Sequence, residues 1–220
     1  MTRAEIRARI FHGLNEDPSV PVFWSTAEMD QVIDEAAEVL AEEIGAVRRT
    51  AHIVLQDSTT YYTLRSLAPD VLAPWRLWHV PSERRLDPVT MEQLDRFHRE
   101  WIKVDGDPWH WFPLSWDTFG IFPRPSTTGG VLRVDYLAWP RALIQDDEHP
   151  EMPEADHEAL VTYGIYDGLA KRWDQMAAVT AWSIFERQWL GGRGRRASAI
   201  SPTRRLETSD PTEQPGLANR

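Results

Sequence analysis

The sequence predicts an α+β protein in which N- and C-terminal helices, packed as a bundle, bracket a small antiparallel β-rich middle. Three observations lead there. Apolar residues recur at helical spacing at both ends of the chain, whereas between about residues 50 and 138 they fall in short β-branched or aromatic runs separated by Asp, Pro and Gly. Residues 191–220 then lose large apolar side chains almost entirely. The expected division is a folded domain over 1–190 and an extended C-terminal arm over 191–220. With 220 residues, 42% of them hydrophobic, the chain is long enough to bury a substantial core.

The first element rests on Thr2 and Glu5, a capping box ahead of Ile6, Ile10 and Leu14, which predicts a short helix over about 3–13. Ser25 and Glu28 repeat the box, with Trp24 and Met29 placed as a hydrophobic staple. Met29, Ile33, Ala36, Leu40, Ile44 and Val47 then hold one face, predicting a helix over 26–48. Its other face carries Asp30, Asp34, Glu35, Glu38, Glu42 and Glu43, which reads either as a solvated surface or as a wall that repels a polyanion. AHIVLQ and TYYTL flank the polar DSTT, the pattern of a β-hairpin. Residues 75–80 read as a strand between Pro74 and Pro81. Thr90 with Gln93 caps a helix over 91–101 whose Met91, Leu94, Phe97 and Trp101 share a face. The runs 109–114, 119–122 and 131–137 are short strands with tight turns between them. After the acidic QDDEHPEMPEAD, helical spacing returns in Leu160, Val161, Gly164, Ile165 and Leu169, predicting a helix over 154–172. Ala178, Ala181, Trp182, Phe185 and Trp189 predict a last one over 175–190. No internal repeat is evident.

Composition excludes several functions. The net charge of −10 disfavours a nonspecific nucleic-acid binder, which needs a concentrated positive face. Charge interrupts every apolar run, and MTRAEIRARI has acid and arginine where the apolar part of a secretory signal would lie, so neither a membrane span nor export is expected. The absence of cysteine removes disulfides, thiolate metal sites and thiol nucleophiles. His149 stands beside Asp146, Asp147 and Glu148, and His157 between Asp156 and Glu158, but adjacent residues point apart and no HxxxH spacing occurs, so no metal or other cofactor is expected. There is no G-x-S-x-G, S-x-x-K or P-loop, and carboxylate pairs carry no specificity in a chain with thirty-four acids.

Eleven tryptophans are the unusual feature. Trp24, Trp101, Trp182 and Trp189 sit on predicted helices or beside them as core or interface aromatics. Trp109 and Trp111 alternate along a strand near Trp116, which suits core packing, a subunit interface or a sugar-stacking platform. A carbohydrate-binding or other interaction module is therefore the alternative reading of function.

An ordered set of motifs adds a family. FWSTAEMDQVIDEAAEVLAEEI opens a long helix after a short one, YYTL follows, and WIKVDGDPWHWFPL leads to GIFPRP with its two prolines, Pro123 and Pro125. VDYLAWPRAL then runs into DDEHPEMPEADHEALVTYGIYDGLA. Over roughly residues 20–172 this order resembles the head-to-tail adaptor, or connector, proteins of tailed bacteriophages. The resemblance implies a structural virion protein without catalysis, assembled in the host cytoplasm and located in the neck. It also implies a ring of twelve copies under the portal protein, joining capsid to tail or nozzle proteins, with DNA passing through the channel without specific binding. On that picture Asp30, Asp34, Glu38 and Glu42 face the channel. The arm lies beyond the motifs. It holds six arginines against three acids, leaving −13 on residues 1–190, and its composition suits a segment that orders on contact with a partner. Arg193, Arg195, Arg196, Arg204 and Arg205 would then meet acidic patches on the portal or a neighbouring copy.

Overall fold

A computed structural model of the chain describes residues 1–97 and 99–191. The described elements are five α-helices and eight strands: α1 (Arg3–Gly13), α2 (Thr26–Ile44), β1 (Arg48–Val54), β2 (Tyr61–Thr63), β3 (Val71–His79), β4 (Arg84–Arg85), β5 (Asp87–Pro88), α3 (Met91–Phe97), β6 (His110–Pro113), β7 (Thr118–Phe122), β8 (Val131–Ala138), α4 (His157–Lys171) and α5 (Gln175–Phe185). The class is α+β.

Both N-terminal helices start where the capping boxes place them. Thr2 and Ser25 accept from the backbone N–H of Glu5 and Glu28, whose carboxylates accept from the cap residues in return. The second helix stops at Ile44, short of the expected residue 48, because Gly45 takes the left-handed conformation (φ 60°) that closes a helix end. Val47 consequently joins the core of the sheets. The helical core brings together Ile6, Ile10, Phe11 and Leu14 of α1, Met29, Ile33 and Leu40 of α2, Leu160 of α4 and Phe185 of α5. Close approach of α1 to α4 depends on glycine. A Cβ at Gly164 or Gly168 would stand 2.4 or 2.5 Å from a Cδ1 of Ile10 or Leu14.

The strands form two four-stranded sheets, ordered β1-β8-β3-β4 and β2-β7-β6-β5, antiparallel except for the short β5–β6 pair. The expected hairpin between β1 and β2 does not form: β1 pairs with β8 and β2 with β7, so the two runs lie in different sheets. The polar segment between them is held elsewhere. The Ser58 N–H donates to the Pro125 carbonyl, the Asp57 N–H to the Thr128 hydroxyl and the Gln56 N–H to the Tyr62 hydroxyl. It is a corner that carries the chain from one sheet to the other. Pro74 does not precede β3 but lies within it, at an irregularity where the register with β8 shifts.

Ile53, Leu77, Leu132 and Val134 of the first sheet pack with Tyr62, Trp111, Phe119 and Ile121 of the second. Phe112 and Phe122, on the other face of the second sheet, pack with Leu94 and Trp101. Burial on both faces explains why β7 reads as a continuous apolar run. The third helix ends at Phe97, and Trp101 opens a separate 3₁₀ turn (Trp101–Lys103), its indole N–H donating to Asp95 at 2.8 Å. At the C-terminus, α5 gives way to a π-helical turn over Glu186–Leu190.

Candidate interaction surfaces

Successive four-residue steps along an α-helix overshoot one turn by about 40°, so the acids of α2 wind around the helix. Asp30 faces α1 and pairs with Arg3 (3.0 Å) and Arg7 (2.7 Å), while Arg7 also holds Asp146 (2.9 Å). Asp34 accepts the Leu143 N–H at 3.1 Å, and burial pushes its carboxyl above the usual carboxylate range. Two of the four expected channel-facing acids are thus engaged within their own chain, which corrects the uniform stripe. Glu38, Glu42 and Glu43 are exposed and make no ion pair with a described residue.

The tryptophans divide by depth. Trp24, Trp101 and Trp111 are buried, and Trp109, Trp182 and Trp189 pack half-buried against the cores. Trp111 points between the sheets while Trp109 packs with Phe122 in a different cluster, so the two do not form a sugar-stacking platform. Trp116 is exposed, with the Arg65 guanidinium 5.2 Å from its ring centre. His149 and His157 address different backbone carbonyls, those of Met1 and Met152. Among the described residues no group of three His, Asp or Glu could hold a metal ion.

The structure reveals a surface that sequence reasoning missed. The α4 helix ends with Trp173 in the left-handed region (φ 63°), its N–H donating to the Ala170 carbonyl and the next N–H, of Asp174, to Leu169. That reversal ordinarily takes glycine. Trp173 is 84% exposed, next to Met176 at 83% and Val179 at 66%. The α5 helix that carries the last two has no charged residue in its eleven positions. Its uncharged outer face was the available signal, obscured by the stronger inward face at Ala178, Ala181, Trp182 and Phe185. Phe23, also exposed, lies under the Arg172 guanidinium at 5.1 Å. A shallow cleft of about 310 Å³ opens between α4 and α5, bordered by Tyr166 and Trp182. A large exposed apolar side chain in a strained backbone conformation suits contact with another protein rather than chemistry on a small molecule.

Compared with known protein families, the sequence matches the SU10 adaptor protein over residues 1–206. The chain belongs to the SU10 adaptor protein family. This is a family of phage head-to-tail adaptors, so the protein is a structural component of a bacteriophage virion, placed at the neck where adaptors meet portal and tail proteins. The match extends beyond the motifs of residues 20–172. It takes in Arg193, Arg195, Arg196, Arg204 and Arg205, which lie outside the described residues, and stops short of the last fourteen positions. No curated protein matches the chain. No described helix of this adaptor is long and apolar enough to cross a membrane.

Proposed function

We propose that this adaptor assembles in the host cytoplasm as a ring, twelve copies in number, under the portal, where it joins the capsid to the tail or nozzle proteins. DNA passes through its channel without specific binding. The observation that carries the docking role is Trp173: it is exposed in the turn between α4 and the uncharged α5, and occupies a backbone conformation that glycine would adopt without strain. Stability alone gives no reason to keep tryptophan there, whereas a rigid aromatic side chain is a common anchor of protein interfaces. The net charge of −13 on residues 1–190 supports weak affinity for the passing polyanion. The arginines of the arm add a second contact, with the portal or a neighbouring copy. A carbohydrate-binding role loses its support with Trp111 buried.

The test is docking of the full-length adaptor to purified portal. Trp173→Gly is expected to weaken docking by about tenfold or more while its melting temperature stays equal or rises. Deletion of residues 191–220 is expected to abolish docking and leave the fold intact. Wild-type docking by Trp173→Gly would remove Trp173 as the anchor, and wild-type docking by the truncated chain would remove the arm.

A further inference from the structure

The outer face of the first sheet is cationic in a chain that is strongly anionic. Strand register aligns His52, Arg133, Trp78 and Arg85 as one row across β1, β8, β3 and β4, with Thr50, Asp135 and Arg76 as the next. Beyond them lie Arg48 and Trp75. The Trp75 ring has the Arg48 guanidinium 4.1 Å and the Arg76 guanidinium 3.8 Å from its centre, and Arg133 stands 5.1 Å from that of Trp78. Four arginines thus share the face with one acid, Asp135, which is held by Thr50 (2.9 Å) and Arg133 (3.4 Å). Arg76 and Arg85 make no ion pair with a described residue. The Trp75 ring fixes the Arg76 guanidinium in place without neutralising it, so that fork is set in advance for a carboxylate from outside.

The same chain carries the complement. None of the nineteen residues of α2 is Lys or Arg, and its exposed Glu38, Glu42 and Glu43 cluster toward the C-terminal end. Glu38 and Glu42 are like charges four residues apart, and the last turn is the negative end of the helix dipole. Arginines from a partner would relieve both. We propose that the face formed by Arg48, Arg76, Arg85 and Arg133 receives Glu38, Glu42 and Glu43 of α2 from a second copy of this chain. This contact rests on the reading that the adaptor self-associates, and it gives these acids an interface role in place of a channel role. Nucleic acid is the weaker occupant. The chain around the patch repels it, and the Trp75 ring is covered by guanidinium groups, so it offers no open surface for base stacking.

Full-length wild type, Arg76→Glu/Arg133→Glu and Glu38→Arg/Glu42→Arg are each supplied with portal, and the copies bound per portal are counted by native mass spectrometry. Wild type is expected to form a multi-copy assembly. Each reversed variant alone loses neighbour-to-neighbour association by about tenfold or more, and an equal mixture of the two restores it, because every contact then joins opposite charges. Restoration also shows that both variants are folded. Two variants that each assemble like wild type would overturn the contact and leave the ring intact. A wild type that binds portal without association between its copies would overturn the ring and the contact together. If Arg76→Glu/Arg133→Glu assembles normally but loses salt-dependent binding to duplex DNA, the face belongs to nucleic acid and the proposal is wrong.

Discussion

Asp34 shows how position decides the role of a carboxylate. It is on the same helix as Glu38 and carries the same charge, yet it turns toward the chain after β8 and accepts the Leu143 N–H. Burial raises its pKa, so the native state binds the proton more tightly than the unfolded chain and gives up stability as pH rises through that titration. Asp34→Asn keeps an oxygen for Leu143 and removes the half-buried charge, and is expected to leave stability unchanged or raise it. Asp34→Ala strands the N–H and is expected to cost about 1–2 kcal/mol. Urea denaturation of the two variants checks this; equal losses would show that the charge, rather than the acceptor, matters. Trp173→Gly belongs to the same scale. Releasing an L-residue from the left-handed region is worth about 1 kcal/mol, so this variant should melt no lower than wild type while it docks less well.

At the scale of elements, α1 and α4 meet through a glycine-lined contact. Gly164→Ala would gain about 1 kcal/mol of helix propensity, but its new methyl would stand 2.4 Å from the Ile10 Cδ1 in a closed core. Overpacking of that kind costs about 1–3 kcal/mol, so a net loss is expected by thermal denaturation. Ile10→Val, which removes that methyl, should recover part of it in the double variant. A Gly164→Ala protein more stable than wild type would show that the helices part without cost. Signals held within a few residues were legible in the sequence: both capping boxes, the Trp24–Met29 staple and the acidic loop before α4. Partner choice was not legible. The run from Ala51 to Gln56 looks like half of a hairpin, but its ladder partner is β8, some eighty residues further on, and the Tyr62 hydroxyl holds the corner that separates β1 from β2. The acid stripe was legible as composition but not as a surface, because the 40° advance at each four-residue step brings Asp30 against arginines of α1. Trp173 had no readable signal, since nothing in its neighbours announces a left-handed tryptophan.

At the scale of the whole molecule, three histidines tie both cores to pH. His157 is buried in the helical part with a nitrogen 3.1 Å from the Met152 carbonyl, and His79 is buried in the first sheet beside the Ser82 hydroxyl at 2.8 Å. His110 lies between Trp109 and Phe122, with its Nδ1 buried. Burial is the largest influence on each and pushes all three below the usual histidine range, against smaller upward pulls from Asp87 on His110, Asp107 on His79 and the Met152 contact on His157. The folded state therefore holds these groups neutral while the unfolded chain takes up protons near pH 6.5. Stability is full above that point and falls as pH drops from about 6.5 toward the lower native values, by at most about 1.4 kcal/mol per pH unit for each histidine. Carboxylates held down by their partners, such as Asp146 by Arg7, lose their contribution only further down, through the carboxylate range. The interval from pH 7.5 to 5.5 thus isolates the histidines. The melting temperature is expected to fall across it, and His157→Gln is expected to flatten the fall by the share of one proton. A melting temperature constant over that interval would mean that the fold admits the charged imidazoles, and that its cores are wetter than their packing indicates.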